Sequence, residues 1–400
     1  MQSYRYVILG AGPSGLSFAH TLLRHGETSF VVLEKEATPG GLCRSCVVDG
    51  APLDIGGGHF LDTKRCDVLD FVYSFMPKTE WCEYERISRI IINGHSVDYP
   101  LEANIWQFPH EIQLDYLESI SKAGSVCGQQ MPLGFRDWVY WKLGSRIAED
   151  YMLPYNQKLW SIDLSKLGTY WLYKLPEVSF RDTLRSCLEK KSTGKIPAHS
   201  RFLYPSSFGY GEIWSRMGKA LGNHLLTSSP ITSIDVNNLI INDHFKADMI
   251  INTVPWTSIC KISDLPSTIV SAIRELEYTS ITIDYYPDNL NTDAHWIYNP
   301  DMSKSFHRIL CRNNFLHGSM GHWTETNSAR SIQSVNWQYI NEYAYPVNLI
   351  NKPRVINEIL SWGRSVNIVG LGRWGTWEHM NSDVAVANAI EVARSLVAGM

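Results

Sequence analysis

A glycine-rich turn between an apolar strand and a helix constrains the fold of this chain more than any other feature. The segment YRYVILGAGPSGLSFAHTLLRHG contains a short apolar run, Val7–Leu9, which predicts a buried parallel strand. Three glycines follow in GxGxxG spacing, Gly10, Gly12 and Gly15, and lead into a helical pattern. The first glycine permits the tight turn, the second lets a pyrophosphate approach the backbone, and the third lets the helix pack on the strand. The segment therefore predicts a dinucleotide-binding unit.

An acidic residue at the end of the next predicted strand supports a bound nucleotide. The run FVVLE ends in Glu34, 24 residues after Gly10. A ribose-binding carboxylate is expected about 20 residues after the first glycine. A carboxylate here also argues against a ribose that carries a 2′-phosphate. The alternative interpretation is a glycine turn that binds no ligand.

The segment after this strand favours FAD over NAD. EKEATPGGLCRSCVVDGAPLDIGGGHF resembles the second glycine motif of the large FAD-binding family that includes the amine oxidases. Gly40, Gly41 and Arg44 come soon after the acidic residue, and 54–59 follow. In that family, this backbone passes the FAD phosphates and continues toward the isoalloxazine ring, and glycines allow so close an approach. An NAD-dependent dehydrogenase does not need this segment.

The C-terminal segment is consistent with the same cofactor. SVNIVGLGRWGTWEHMNSDVAVANAIEVARSLV predicts a strand at 366–369, a glycine-rich loop, and an amphipathic helix from about Asp383. Asn381 and Ser382 are good helix caps. In the FAD family, the dipole of such a helix faces the flavin. The predicted cofactor-binding residues are Gly10, Gly12, Pro13, Ser14, Gly15, Glu34, Lys35, Gly41, Leu42, Arg44, Gly57, Gly58, His59, Gly372, Arg373, Asn381 and Ser382.

Periodicity divides the chain into a discontinuous α/β protein. Its 400 residues are too many for one typical core. We predict a Rossmann-like FAD-binding domain, a helical insertion and an antiparallel-sheet substrate domain. The predicted ranges are 1–80, 193–260 and 350–400 for the FAD-binding domain, 105–192 for the insertion, and 270–345 for the substrate domain. A flavin would then lie at the domain junction, where ligand sites are common.

Composition excludes several classes of partner. With 19% charged residues, a formal net charge of −4 and no Lys/Arg-rich stretch, the chain is not expected to bind nucleic acid. It has no apolar run long enough to span a bilayer, and we expect no signal peptide before the first strand. The eight cysteines are mostly scattered, which is typical of reduced thiols in a cytoplasmic protein. The oligomeric state stays open between a monomer and a homo-oligomer.

One cysteine pair has CxxC spacing. Cys43 and Cys46 lack a second CxxC, which argues against a structural zinc site, and no metal is expected. Two buried thiols and a redox pair beside the cofactor both fit the spacing.

An ordered series of motifs along nearly the whole chain resembles the UDP-galactopyranose mutase family. The family fingerprint of an aromatic residue, Lys and Trp occurs here in PYNQKLW. The order and approximate spacing of the other motifs also agree. The matching positions are Tyr99-Pro100, Tyr155, Lys158, Trp160, Trp296, Tyr298, Arg308, Tyr345 and Arg373.

The resemblance implies an isomerase that interconverts the pyranose and furanose forms of a nucleotide-diphosphate sugar. Reduced FAD is expected to be the nucleophile, through an adduct between its N5 and the anomeric carbon, with no net redox change. The expected substrate is UDP-galactose or a related sugar nucleotide. A role in polysaccharide biosynthesis would follow.

The same resemblance assigns roles to individual residues. The expected catalytic residues are His59, Lys174, Arg308, Tyr345 and His379. The expected substrate-binding residues are Tyr99, Glu102, Tyr155, Asn156, Trp160, Trp296 and Tyr298. Arg308 is expected to fork onto the diphosphate, helped by Lys174 and by the hydroxyls of Tyr298 and Tyr345. Tyr155 would stack on the base, Asn156 would bind its edge, and Trp160 would form the wall of the sugar pocket.

The chain departs from the family pattern at several of these positions. Gly58 stands where mutases commonly have a His, which displaces His59 by one place. Glu102 replaces a Gln of eukaryotic members, and Lys174 replaces a mobile-loop Arg. His379 stands in place of a Tyr, and Asn381 in place of a bacterial Asp. These changes leave the sugar and the base undetermined.

Two other functions compete with the mutase. One is a flavin-dependent oxidoreductase of the amine-oxidase type that acts on another small molecule. The other is an FAD-binding protein that has lost catalysis and serves in an assembly. The fold alone does not separate the three. The Lys-Trp fingerprint and Arg308 favour the mutase, because an amine oxidase has no diphosphate to hold.

Overall fold

The computed structural model describes residues 1–61, 64–175, 177–194, 200–332 and 337–398, except for the side chain of Lys174. The strands, in chain order, are β1 Gln2–Leu9, β2 Phe30–Leu33, β3 Ser45–Val48, β4 Ala51–Asp54, β5 Trp81–Glu85, β6 Ser88–Ile92, β7 His95–Asp98, β8 Arg201–Pro205, β9 Leu225–Leu226, β10 Ile234–Asp235, β11 Ile240–Ile241, β12 Phe245–Asn252, β13 Tyr278–Tyr286, β14 Trp296–Tyr298, β15 Arg308–Cys311, β16 His322–Asn327, β17 Gln338–Pro346 and β18 Ile368–Gly370.

The helices cover the sheets and fill the predicted insertion. In chain order they are α1 Pro13–Arg24, α2 Cys66–Tyr73, α3 Leu101–Asn104, α4 His110–Ser121, α5 Phe135–Ile147, α6 Leu153–Trp160, α7 Phe180–Glu189, α8 Gly211–Leu221, α9 Trp256–Ile259, α10 Ser267–Arg274, α11 Arg312–Phe315, α12 Lys352–Ser365, α13 Gly372–Gly375 and α14 Ser382–Ala398. A π-helical turn, Ala148–Met152, joins α5 to α6.

The first sheet is Rossmann-like and is assembled from distant parts of the chain. Its order is β10-β11-β12-β1-β2-β9, and β18 also pairs with β12. The pairs β1–β12, β1–β2, β2–β9 and β12–β18 are parallel. Strand β1 contributes Tyr6 and Ile8 to one hydrophobic core, and Val7 and Leu9 to the other. This burial on both faces explains the uninterrupted apolar run, and the sheet confirms the predicted discontinuous α/β fold.

The second sheet is almost entirely antiparallel and carries one wall of the site described below. Its order is β17-β13-β16-β15-β14-β6-β7, and β14–β6 is its parallel pair. The predicted β-rich runs form β13, β14 and β15 as expected. Strands β6 and β7 join the same sheet from a part of the chain that no predicted domain range includes. The domain boundaries between residues 80 and 105 therefore remain predictions.

Two local predictions differ from the structure near the C-terminus. The strand predicted at 366–369 is β18, which begins two residues later at Ile368. The predicted glycine loop GRWG forms the short helix α13. An added Cβ on Gly370 or Gly375 would lie within 3.0 Å of a backbone carbonyl carbon of the other, so both glycines permit close packing of this turn. Among the described residues, no helix is both long and apolar enough to cross a membrane.

Candidate functional site

A cavity of about 490 Å³, termed the first cavity, lies at the carboxyl ends of β1 and β2. Crevices at this edge of a parallel sheet are where such folds bind ligands. All of the predicted cofactor-binding residues line it except Gly15, Gly57, Gly58 and Gly372. The sequence motifs from both ends of the chain therefore converge on one cavity.

Each glycine of the first turn serves a different structural purpose. Gly10 has φ of +94°, a region that favours glycine. An added Cβ on Gly15 would collide with the carbonyl oxygen of Gly10, so this glycine permits close packing of α1. Around Gly12 the space is open, and the nearest atom to an added Cβ is the Cα of Gly41 at 4.0 Å. The backbone at Gly12 is therefore accessible to a phosphate at the N-terminus of α1.

The Glu34 carboxylate is fixed by the backbone around it. One oxygen accepts from the Ala11 N–H at 2.8 Å, and the other accepts from the Glu36 N–H at 2.9 Å. Each carboxylate oxygen can accept more than one hydrogen bond. Glu34 therefore holds the glycine turn in place and still presents acceptors to ribose hydroxyls in the cavity.

A second cavity of about 310 Å³ lies between the helical insertion and the antiparallel sheet. Helix α6 contributes Tyr155, Asn156 and Trp160, and the sheet contributes Tyr298, Arg308 and Tyr345. The predicted residues Tyr99, Glu102 and His379 also line it. His59, Arg373 and Asn381 line both cavities. A ligand in the second cavity would therefore meet a dinucleotide in the first at these three residues.

Arg308 is the central cation of the second cavity, and it is already paired with a carboxylate. Arg308 on β15 stands opposite Glu325 on β16, and Glu325 is fully buried. The Arg308 Nε donates to Glu325 Oε2 at 2.9 Å, and its Nη2 contacts the same oxygen. Burial opposes the charge on Arg308, but the Glu325 carboxylate raises the pKa of Arg308 well above its ordinary value.

Glu325 also connects Arg308 to the backbone beside His59. Its Oε1 accepts from the backbone N–H of Gly58 at 2.9 Å, directly before His59. An added Cβ on Gly57 would lie 2.6 Å from the same oxygen, so this glycine makes room for the carboxylate. Glu325 is a site residue that was not predicted from the sequence. The one signal was a charged residue that alternates with Thr in the strand HWTETN.

Tyrosines connect the cationic end of the second cavity to its other end. Tyr345 lies beside the His379 ring, with 5.0 Å between ring centroids, and beside Arg308. Tyr155 and Tyr298 meet edge to face at 5.5 Å, and Tyr99 lies 5.1 Å from Tyr298. Burial raises the pKa of Tyr155 well above its ordinary value. Tyr155 is therefore protonated at neutral pH, and the hydroxyls of these tyrosines are of a type that can donate a hydrogen bond.

The end beyond the tyrosines is lined by Glu102 and Lys142. Burial raises the pKa of Glu102, and the Lys142 charge opposes that rise. Glu102 acts electrostatically on Tyr99 and Tyr151, while Arg308 acts on Tyr155. The cavity therefore has two arginines at the end shared with the first cavity, and a carboxyl and an ammonium group at the other.

His59 lies where the two cavities meet and is neutral. Burial, followed by the charge of Arg373, lowers the pKa of His59 to about 3. Its Nδ1 lies 3.2 Å from the carbonyl oxygen of Gly57. A carbonyl only accepts, so Nδ1 carries the proton and Nε2 is an acceptor. His59 is thus a fixed neutral acceptor at the junction.

Several residues of the fingerprint segment are engaged by the protein itself. Asn156 Nδ2 donates to the Met152 carbonyl at 2.8 Å, and its Oδ1 accepts from the Trp160 indole N–H at 3.1 Å. Lys158 is fully buried and donates to the carbonyls of Asn299 and Asp301 at 2.9 and 2.8 Å. It therefore anchors the loop between β14 and β15, which carry Tyr298 and Arg308.

Some predicted site residues lie elsewhere. Trp296 is not among the described residues that line the second cavity, and its indole N–H donates to the Tyr298 hydroxyl at 2.8 Å. An added Cβ on Gly372 would collide with Ser14, so this glycine lets α13 pack on α1. Lys174 ends the 3₁₀ turn Leu172–Lys174, and its side chain lies outside the described part of the structure.

The CxxC pair is not a disulfide, and only one of its thiols faces the first cavity. Cys43 is buried and Cys46 is half-buried. Burial raises the pKa of Cys43 to about 12, which disfavours the reactive thiolate. Within the described ranges, no group of three or more His, Cys, Asp or Glu side chains could hold a metal ion.

Comparison with known proteins agrees with this geometry. Residues 8–73 match the family model of an NAD(P)-binding Rossmann-like domain. A hydroxyneurosporene desaturase from Rubrivivax gelatinosus is 43% identical over 129 residues, which is 32% of this chain and 22% of that protein. The chain also superposes on cyclohexylamine oxidase from Brevibacterium oxydans with a TM-score of 0.68 and 12% identity, covering 99% of each chain.

The fold and the first cavity thus define an α/β protein with a Rossmann-like dinucleotide-binding domain. Within that class, the chain is similar to a reduced UDP-galactopyranose mutase, with a TM-score of 0.89 and 21% identity over 99% of this chain and 96% of the other. The resemblance found in the sequence is therefore confirmed at the level of the fold.

Proposed function

We propose that this chain is a flavin-dependent mutase that interconverts the pyranose and furanose forms of a nucleotide-diphosphate sugar. The observation that carries the proposal is the junction of the two cavities. The first cavity, which is lined by the glycine turn and Glu34, meets a second cavity at His59, Arg373 and Asn381, and this second cavity is lined by half-buried arginines and by tyrosines. The whole-chain similarity to UDP-galactopyranose mutase supports the same assignment.

The residues of the first cavity fit FAD. The accessible backbone at Gly12 and the N-terminus of α1 suit its pyrophosphate, and Glu34 suits its ribose. The N-terminus of α14, at Ser382, lies beside the junction and would favour negative charge there. Reduced FAD, when bound, supplies a nucleophilic nitrogen that can form a bond to the anomeric carbon of a sugar.

The second cavity suits a diphosphate leaving group. Arg308 presents a guanidinium whose remaining N–H groups can fork onto phosphate oxygens, although Glu325 already engages Nε and Nη2. Tyr345 and Tyr298 can donate hydroxyl hydrogens to the same oxygens. Arg373 lies at the junction and interacts with the Tyr345 ring at 5.7 Å. These groups would bind the diphosphate as it leaves and hold it for return.

Neutral His59 has a specific task in this proposal. Because its Nε2 only accepts, it can accept a hydrogen bond from the cofactor or from a sugar hydroxyl at the junction without adding positive charge. Tyr155 would stack on the base, and Trp160 would form part of the sugar wall. Both side chains line the second cavity, which supports these roles.

Incubation of the purified protein with UDP-galactofuranose, with and without dithionite, tests the proposal. We expect UDP-galactopyranose to form only after reduction, without net consumption of dithionite. Arg308→Lys keeps the charge but loses the fork, and we expect it to bind UDP about tenfold more weakly. Conversion of another nucleotide sugar would retain the class and change the substrate.

The second candidate is a flavin-dependent oxidase, since the chain also shares its fold with cyclohexylamine oxidase. A cationic amine would meet Arg308 and Arg373 in the second cavity, and that like-charge contact disfavours it. Oxygen consumption that matches product formation on an amine, without conversion of any nucleotide sugar, would replace the mutase proposal with this one.

A further inference from the structure

The Tyr298 hydroxyl receives two hydrogen bonds from groups that only donate. The Trp296 indole N–H donates to it at 2.8 Å, and the Arg86 guanidinium donates through Nη2 at 2.8 Å. Neither an indole N–H nor a guanidinium can accept a hydrogen bond. Both acceptor positions of the phenol oxygen are therefore filled by the protein, and its own proton needs an acceptor elsewhere.

That acceptor has to come from the second cavity. In the described part of the chain, the Tyr298 hydroxyl makes only these two hydrogen bonds. Its side chain is nine-tenths buried and lines the second cavity, while Trp296 and Arg86 lie behind it, outside the lining. The proton is thus directed toward the space that a ligand would occupy.

The surrounding groups hold this arrangement rigidly. The Arg86 Nε donates to Ser88 Oγ at 2.8 Å, and its guanidinium stacks over the rings of Tyr99 and Trp296 at 4.9 and 4.6 Å. Trp296 in turn stacks on Phe60, with 5.0 Å between ring centroids. A phenol that accepts a hydrogen bond from a cation is a stronger donor through its own O–H.

We propose that Arg86 and Trp296 are positioning residues that make the Tyr298 hydroxyl an obligate donor to an anionic oxygen of the ligand, which on the proposed function is a diphosphate oxygen. A hydroxyl free to rotate would present lone pairs to a phosphate in part of its orientations. Two fixed donors behind it exclude those orientations. The inference rests on the proposed function for the identity of the ligand, and on the hydrogen bonds for the direction of the proton.

Equilibrium binding of UDP and of inorganic pyrophosphate to the full chain tests the proposal without turnover. Tyr298→Phe removes the donor, and we expect about 10- to 100-fold weaker binding of both probes. Trp296→Phe keeps an aromatic ring but removes one fixed donor, and we expect about three- to tenfold weaker binding. Arg86→Met should have an effect of similar size.

A double-mutant cycle separates positioning from loss of structure. If Trp296 acts through the Tyr298 proton, Trp296→Phe combined with Tyr298→Phe binds UDP no more weakly than Tyr298→Phe alone. The matched control is Trp323→Phe in the same sheet, because its buried indole N–H has no hydrogen-bond partner among the described residues. Arg89→Met is the control for the arginine, since Arg89 pairs with Asp98 and Asp293 instead.

Three outcomes would overturn the proposal. If the Tyr298→Phe variant binds both probes as tightly as the parent protein, Tyr298 is not a donor to the ligand, even if the parent is an active mutase. Additive losses in the double variant, or equal losses in Trp323→Phe, would reduce Trp296 to a packing residue. A parent protein that binds neither probe contradicts both this inference and the proposed function.

Discussion

Replacing Glu325 with Gln should have opposite effects on folding and on ligand binding. The change keeps the side chain's size and leaves an oxygen to accept from the Gly58 N–H. It removes the charge that neutralises Arg308, with which the fully buried Glu325 makes an ion pair. Arg308 then remains as a half-buried cation without its partner. A bound diphosphate would supply the missing negative charge.

The magnitudes follow from burial and distance. Removing one partner of a buried ion pair typically lowers the free energy of unfolding by about 3–5 kcal/mol, and Glu325 is fully buried. For a phosphate charge about 6 Å from the carboxylate, at an effective dielectric constant of about 20, the repulsion by Glu325 is about 3 kcal/mol. Its loss should therefore tighten binding of UDP by about tenfold or more.

Chemical denaturation with and without UDP, together with titration of UDP, measures both effects. The expected pattern is a lower stability of the free variant and a larger gain in stability at a given UDP concentration. The control is Glu80→Gln, whose bidentate pair with Arg216 is partly exposed and lies outside both cavities. That change should lower the stability much less than Glu325→Gln and leave UDP binding unaltered. Weaker UDP binding by the Glu325 variant would refute the reasoning, because the carboxylate would then be needed to orient Arg308.

Further variants test the cofactor turn, the junction and the fingerprint lysine. Gly15→Ala should prevent stable folding or FAD retention, because its Cβ collides with backbone, whereas Gly134→Ala meets no atom closer than 3.5 Å and should retain the flavin absorbance. His59 is neutral when folded, with a pKa of about 3 against about 6.5 unfolded, so the unfolded state binds more protons between these values and stability falls as pH falls below 6.5. In the His59→Gln variant, the free energy of unfolding should fall by up to about 2 kcal/mol less between pH 7 and pH 5, as measured by denaturant titration. An unchanged pH dependence of stability would contradict a neutral His59 imidazole. Lys158→Met leaves one buried and one partly buried carbonyl without a donor, so it should lower the free energy of unfolding by about 2 kcal/mol and weaken UDP binding. Normal binding would show that the loop is held by other contacts.

The nucleotide-binding fold could be predicted because its signals are local. Gly10, Gly12 and Gly15 lie within one turn, and the apolar strand before them needs burial on both faces. Their order along the chain therefore fixes a strand, a turn and a helix before any tertiary contact is known. The pairing of β12 and β18 in the same sheet was also predictable, since both segments have an apolar pattern typical of a buried strand.

For the second cavity, the sequence predicted which residues line it but not how they pair with one another. The motif order named Tyr155, Tyr298, Arg308 and Tyr345, and the structure brings their side chains to one cavity. Their partners were not predictable. Glu325 faces Arg308 only because β15 and β16 pair in one register, and a shift by one residue would turn its carboxylate to the other face of the sheet.

By itself the sequence determined the glycine turn, the acid that supports it, and most of the side chains that line the second cavity. Each depends on spacing within one segment or on residue type, and both are visible along the chain. The tertiary structure decided which of those side chains remain available to a ligand. Lys158 is engaged by the backbone carbonyls of Asn299 and Asp301, and Glu325 neutralises Arg308. Arg86, from the segment between β5 and β6, donates to the Tyr298 hydroxyl. These pairings join residues that are far apart in the chain, so only strand register and packing could establish them.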